Sequence, residues 1–459
     1  MELTSLTLKQ AQNLLKTKQV SGEELTQAFL KRAYELNPKL NSYLNIFENA
    51  PGGLPCAVKD IIMVKGEKCT AGSKILENYI ASYDATVINK LKASSVAILG
   101  KTNLDEFAMG TTGENSAFGP TLNPLDNSRA AGGSSSGSAA AVAGGMALFA
   151  LGSETGGSAR LPASWTGTVG LKPTYGRISR HGLIPMASSL DQVAPITKTV
   201  EDAAMVMNMI AGHDRLDSTT SPHSVPDYTR ALGKNIKGLR VAVPKEFFSS
   251  KGLDPQIEQS VKEAIKKLEN LGVKISEVNL PMTDYALATY YVIVPSEISA
   301  NMARYDGVRY GLSSEGNNLL DVYLNSRCIG LGPEVHRRIM VGTYALSAGY
   351  YDAYYKKAQS VRTLIRRDFD AIFKDHDVIV GPTSPIMAPK IGEYKNPLQF
   401  YLADIFTVQA NLAGLCAISV PCGFGIIDNV KLPIGLQIIA NRFEEEKLFQ
   451  ISHAYELSR

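Results

Sequence analysis

Seven short apolar runs, separated by stretches of helical periodicity, constrain this 459-residue chain more than any other feature. They are LPCAV (54–58), VAILG (96–100), MALFALG (146–152), LRVAVP (239–244), DVIVGP (377–382), AISVPCG (417–423) and IGLQIIA (434–440). Runs this short, continuous in apolar residues and bounded by Gly, Pro or Asp, read as strands buried on both faces. Alternation with helices predicts a layered α/β core with a mostly parallel sheet. Two amphipathic helices are expected over 8–36, the second opened by the capping-box sequence SGEEL at 21–25. Between 285 and 375 the strand signals nearly vanish, which predicts a helix-rich layer inserted into the α/β body. The polar stretch 215–237, with DSTTSPHSVPD, reads as an internal connector. No internal repeat is present.

Composition narrows the function classes. Hydrophobic residues make up 44% and charged residues 20%, which is ordinary globular usage with enough apolar side chain for a large core. The 47 Lys and Arg against 44 Asp and Glu leave +3, too balanced for a protein that holds nucleic acid by charge alone. Five cysteines, Cys56, Cys69, Cys328, Cys416 and Cys422, form no C-x-x-C pair and read as buried reduced thiols of a cytosolic protein. The N-terminal MELTSLTLKQ has no apolar core of a secretory signal. The longest uncharged apolar stretch, 139–152, falls short of the roughly 20 residues that span a bilayer. The expectation is a soluble, cytoplasmic protein without membrane partner or bound metal.

The segment AAGGSSSGSAAAVAGG (130–145) has linker composition, yet it runs directly into a helix-and-strand pattern and a second Gly/Ser cluster, GSETGGSAR (152–160). Two such clusters around one apolar helix read as paired loops at one end of a sheet, where small residues let backbone approach a ligand. GSSSG (133–137) matches the G-x-S-x-G elbow, with Ser135 as nucleophile, but NPLDNSRAA before it is no hydrophobic strand. No phosphate-binding glycine motif follows a strand. None of the six histidines lies in either cluster, so a serine nucleophile needs another base. A desolvated lysine loses its proton readily and can serve. Lys59, at the end of the apolar run CAVK, is the candidate, and an ion pair with Asp60 is the alternative.

AVKD (57–60), GGSSSGSAAAVA (132–143) and GSETGGSARLPASWTGTVGLKPTYGR (152–177) together resemble the amidase signature family, and the similarity spans nearly the whole chain. The resemblance implies a single amidase domain over 1–459, α/β in class, with a mixed central sheet covered by helices on both faces. It also implies a Ser-cisSer-Lys triad. Ser158 is then the acyl nucleophile, Ser134 the bridging serine after a cis Gly133–Ser134 bond, and Lys59 the base. Backbone N–H groups of Thr155, Gly156 and Gly157 are then the oxyanion hole. Such a relay suits an amide, whose nitrogen leaves poorly unless protonated.

Within the family, KTNLDEFAMG (101–110), ARYDGVRYG (303–311), RRIMVGTYALSAGYYDAYYKKAQSVR (337–362) and DIFTVQANLAGL (404–415) resemble the glutamine-hydrolysing subunits of aminoacyl-tRNA amidotransferases. This implies glutamine as substrate, with Arg338 for its α-carboxylate, Asp404 for its α-ammonium and Tyr290 as a further contact. It implies a heterotrimer with amidotransferase subunits B and C. ATP and Mg would be used by the partner, no cofactor held by this chain, and mischarged Glu-tRNA(Gln), or Asp-tRNA(Asn), met mainly through the first of those two partners. The basic run 356–367 is expected to be a solvated helix face. A stand-alone amidase acting on another amide would keep the triad but have no use for Arg338 and Asp404; a non-catalytic scaffold would show a degraded triad. Three residues depart from the family pattern: Ser136 stands where Gly is usual, suggesting strain at a φ > 0 position, Glu154 replaces Asp, and Ile61 follows KD in place of Asn.

Overall fold

The structure is a computed structural model and describes residues 2–250 and 252–459. Among these, thirteen strands are present: β1 (Tyr43–Ile46), β2 (Leu54–Lys59), β3 (Val96–Thr102), β4 (Leu122–Asn123), β5 (Asp126–Ala130), β6 (Phe149–Glu154), β7 (Val169–Lys172), β8 (Gln192–Thr197), β9 (Arg240–Pro244), β10 (Lys274–Val278), β11 (Val378–Pro382), β12 (Cys416–Ile427) and β13 (Val430–Ala440). Eleven form one sheet in the order β1-β3-β2-β6-β8-β7-β12-β13-β11-β9-β10, and β4 pairs with β5 alone. All seven apolar runs lie in this sheet.

The mostly parallel expectation is corrected. Neighbours are parallel only at β2–β3, β2–β6, β9–β11 and β9–β10, and antiparallel elsewhere, so the sheet is mixed. The reason is in the connections. A parallel neighbour needs a long crossover, usually helical, but no helix separates β7 from β8. Between β12 and β13 the chain turns through Asp428 and Asn429, both at positive φ (52° and 63°), a tight turn that returns the strand antiparallel.

Every residue of β2, β3, β6, β7, β8 and β11 is buried. Side chains alternate between faces, so burial of all of them means both faces of the sheet are covered. The helix Ser136–Ala143 packs on β6 and is buried throughout except at its last residue, Ala143, which suits its alanines and its lack of a polar face. The helix Gly22–Leu40 opens with the expected capping box between Ser21 and Glu24. Between β10 and β11 come the helices Thr283–Met302, Leu319–Gly330, Pro333–Leu346 and Lys357–Asp375. Cys56, Cys69 and Cys416 are buried free thiols, but Cys328 is exposed and Cys422 only partly covered, which corrects the expectation of five buried ones. No helix among the described residues is long and apolar enough to cross a membrane.

Candidate active site

β2 and β6 are parallel neighbours with Val58 opposite Leu151, so their carboxyl ends meet at the same edge of the sheet. Open α/β sheets place their ligand sites at such edges. Lys59 ends β2, fully buried, and its Nζ lies 2.7 Å from Ser134 Oγ, 2.9 Å from Ser135 Oγ and 2.9 Å from Ser153 Oγ. The ion pair with Asp60 does not form; Asp60 pairs with Lys101 instead, at 2.8 Å. Burial pushes the Lys59 ammonium down to about 7, against the pull of the Asp105, Asp191 and Glu154 carboxylates. A neutral amine is therefore accessible near neutral pH. Ser135 Oγ gives its own proton to the Ser153 carbonyl (3.0 Å), so toward Lys59 it acts as acceptor. The Ser134 and Ser153 hydroxyls donate to no other group among the described residues, so each is free to offer its proton to a neutral amine, and Ser134 stands at the shortest of the three distances. The sequence offers Ser135 only as an elbow nucleophile and does not single out Ser153, because nothing in the two Gly/Ser clusters marks which serines meet Lys59.

The Gly133–Ser134 bond is cis, and the two Gly/Ser clusters are joined directly: Ser135 N donates to Ser158 O at 3.1 Å. Ser158 lies between β6 and the helix Arg160–Thr166. Its hydroxyl has no hydrogen-bond partner among the described residues, and neither have the amides of Thr155, Gly156, Gly157 and Ser158. A free hydroxyl beside several free amides can attack a carbonyl and hold the oxyanion that forms. Thr155 is fixed from behind by Asp191, whose Oδ1 accepts its hydroxyl at 2.6 Å while Oδ2 accepts the amides of Met186 and Ala187.

The three departures have structural answers. Ser136 begins a helix and has no positive φ, so the expected strain is absent; its hydroxyl donates to Thr121 Oγ1 at 3.1 Å. Glu154 is buried with Arg160, and its Oε2 accepts the amides of Ala159 (3.2 Å) and Arg160 (3.1 Å) just after Ser158. Arg160 also donates to Gln437, to Thr407 O (2.9 Å) and to Asn411 Oδ1 (2.6 Å). Ile61 is packed in the hydrophobic core.

Tyr290 and Asp404 reach this loop from two separate segments, and Arg338, from a third, lies near enough for its charge to act on both. Gly156 and Gly157 make the approach possible. A Cβ on Gly156 would stand 2.5 Å from Tyr290 Cζ, and one on Gly157 3.0 Å from Thr407 Cβ and 3.1 Å from Asp404 Oδ1. Asp404 is buried, which pushes its carboxyl up to about 7, opposed by the Thr111 hydroxyl and by Arg338. Thr111 Oγ1 donates to Asp404 Oδ2 at 3.0 Å, and Oδ1 accepts from no group among the described residues. Arg338 mirrors this arrangement. Its Nε donates to Glu334 Oε1 at 2.8 Å, its guanidinium carbon lies 5.5 Å from the ring centres of both Tyr291 and Tyr401, and its two Nη atoms have no partner among the described residues. Tyr401 OH also donates to Glu334 Oε1, at 2.7 Å. A cavity of about 510 Å³ opens at Arg338, Tyr291 and Tyr401 and is otherwise lined mainly by apolar side chains of the helices around it. Of the basic run, Lys356, Lys357, Arg366 and Arg367 are exposed, whereas Arg362 turns inward to Ser189 and Leu412 O.

A buried lysine, two serine-bearing loops and free amides at the carboxyl ends of a mixed sheet define an amide-hydrolase type of site. The Amidase family profile matches residues 52–449, and the chain belongs to that family, with its amidase signature fold. It is similar to the A subunit of the glutamyl-tRNA(Gln) amidotransferase of Desulfatibacillum aliphaticivorans, with 50% identity over 99% of this chain and 98% of that one. The protein of the same name from a Sulfurihydrogenibium species is 52% identical over 99% and 98%. The crystal structure of the A subunit of glutamyl-tRNA(Gln) amidotransferase from Thermotoga maritima superposes with a TM-score of 0.85 at 45% identity, over 99% of this chain and 95% of that one.

Proposed function

We propose that this chain is the glutaminase subunit of an ATP-dependent aminoacyl-tRNA amidotransferase, acting in the cytoplasm as a heterotrimer with subunits B and C. Ser158 attacks the side-chain amide carbon of glutamine while Ser134 takes its proton and passes one to neutral Lys59. The oxyanion is held by amides of Thr155, Gly156 and Gly157. Collapse of the tetrahedral species breaks the C–N bond, and the proton returns through Ser134 to the departing nitrogen, which leaves as ammonia. Water then enters by the same relay and releases glutamate. The ammonia passes to the partner protein, where ATP and Mg activate the glutamate of mischarged Glu-tRNA(Gln), or the aspartate of Asp-tRNA(Asn). This chain holds no cofactor of its own.

One observation carries the choice of glutamine over an uncharged amide: a buried arginine and a buried aspartate, each with a free polar atom, flank the tyrosine that packs on Gly156. Free glutamine carries both opposite charges at its α-carbon. Arg338 offers two Nη donors to the carboxylate and Asp404 Oδ1 an acceptor to the ammonium. The deciding experiment uses the assembled enzyme carrying Arg338→Ala. Loss of one charge-assisted contact costs about 1.5 to 3 kcal/mol, so kcat/KM for glutamine should fall roughly tenfold to hundredfold. Amidation of mischarged tRNA with ammonium chloride should persist. Failure with both nitrogen sources makes Arg338 an assembly contact, and failure with neither moves the glutamine pocket elsewhere.

A further inference from the structure

Thr111 touches both halves of the site at once. Its hydroxyl donates to Asp404 Oδ2 at 3.0 Å, across a sequence separation of 293 residues, and its carbonyl accepts the amide of Gly133 at 2.7 Å, the residue before Ser134. The next residue repeats the second contact, Gly132 N donating to Thr112 O at 3.1 Å. The loop is anchored at its far end, where Asp105 Oδ2 accepts Gly113 N (3.1 Å), Asp105 Oδ1 accepts Asn115 N (2.9 Å) and Asp105 N donates to Ser134 O (3.3 Å). Thr111 and Asp404 are both buried.

We infer that Thr111 is a positioning residue of the glutamine site, holding Asp404 ionised and turned so that Oδ1 faces the substrate ammonium, in fixed register with Ser134. The inference rests on the glutamine reading above. A hydroxyl that donates to one carboxylate oxygen favours the charged form and leaves the other oxygen free. Asp404 needs that help because burial raises its titration to about 7. The other groups that face it are Arg338 and Arg160, which favour the anion, Glu154, which opposes it, and the phenols of Tyr290 and Tyr291. Of these, Thr111 alone is hydrogen-bonded to the Asp404 side chain among the described residues.

The test is glutamine hydrolysis by the assembled enzyme from pH 5.5 to 9, comparing parent, Thr111→Val and Thr111→Ser, with a neutral aliphatic amide as second substrate. Thr111→Val keeps the shape and the carbonyl but removes the donor. Its KM for glutamine should rise about tenfold at pH 7 with kcat little changed, and the acidic limb of kcat/KM should move to higher pH. Thr111→Ser should restore both, and hydrolysis of the neutral amide should be the same in all three. Parent-like KM and pH limb in Thr111→Val overturn the inference alone, as does an equal fall in kcat and kcat/KM on both substrates, which would mean that only the Gly133 loop is held. A parent inactive on glutamine overturns the glutamine reading together with it. Assembly is checked by ammonium-driven amidation; if Thr111→Val does not assemble, Thr111→Ala is read by the same criteria.

Discussion

Lys59 Nζ and Ser134 Oγ stand 2.7 Å apart at the buried end of β2, and among the described residues no carboxylate is hydrogen-bonded to the lysine. With burial holding the ammonium down to about 7, Lys59, the proposed base, is neutral above that pH and charged below it. Asp404, raised to about 7, must instead be ionised, which also requires the higher pH. Two groups therefore lose the active form in the same direction. The expected outcome is a logarithm of kcat/KM for glutamine that falls below pH 7 with a slope approaching two protons, and a slope of about one for a neutral amide that needs only the lysine. A single-proton limb for both substrates would contradict it.

Lys59→Arg preserves charge but removes the proposed base, because a guanidinium stays protonated at working pH. Glutamine hydrolysis should fall by at least about 10³-fold. If activity survives largely intact, the lysine serves the serine cluster only as a donor.

Ser158→Ala removes a hydroxyl that has no partner among the described residues, so its effect on stability should stay within about 0.5 kcal/mol. Hydrolysis should be lost by at least about 10³-fold while ammonium-driven amidation continues. Thermal unfolding and the two assays together check this, and an active mutant would remove Ser158 from the reaction.

The seven legible strands are buried over most of their length and read as nearly continuous apolar runs. β1, β7, β8 and β10 escape that pattern, the last three for identifiable reasons. β8 (QVAPIT) contains Pro195, β7 (VGLK) is short and contains a glycine, and β10 (KISEV) is an edge strand with exposed Lys274, Ser276 and Glu277. Strand direction is not legible from alternation, although the Asp428–Asn429 turn between two apolar runs carries a hairpin signal. At the site, Lys59 stands out because a lysine ending an apolar strand is unusual. Asp105, Asp191 and Thr111 do not, because their meaning lies in contacts such as Thr111 to Asp404 that no local pattern encodes.

Arg160→Met should be the most destabilising of these changes. The guanidinium is fully buried among Glu154, Gln437, Asn411 and the Thr407 carbonyl, and its removal strands the Glu154 carboxylate without its counter-charge. Breaking one side of a buried pair costs about 3–5 kcal/mol. Chemical denaturation should register a loss of that order, accompanied by loss of glutaminase activity, since Glu154 also holds the amides that follow Ser158. Unchanged stability would mean that the pair is not formed in solution.

Asp404→Asn isolates the charge from the shape. The amide oxygen can still accept from Thr111, so the loop that holds Gly133 keeps its anchor, while the substrate ammonium loses its anionic partner. A hydrogen bond to a charged group is worth about 1.5–3 kcal/mol, which corresponds to a tenfold to hundredfold rise in KM for glutamine. The change should also remove one of the two titrating groups, so the acidic limb of kcat/KM should flatten to a single proton set by Lys59. Hydrolysis of a neutral amide should keep its parent profile, because that substrate never meets the carboxylate. A limb that stays two protons steep in Asp404→Asn would assign the second titration elsewhere, with buried Asp105 and Asp191, both raised to about 6, the next groups to replace.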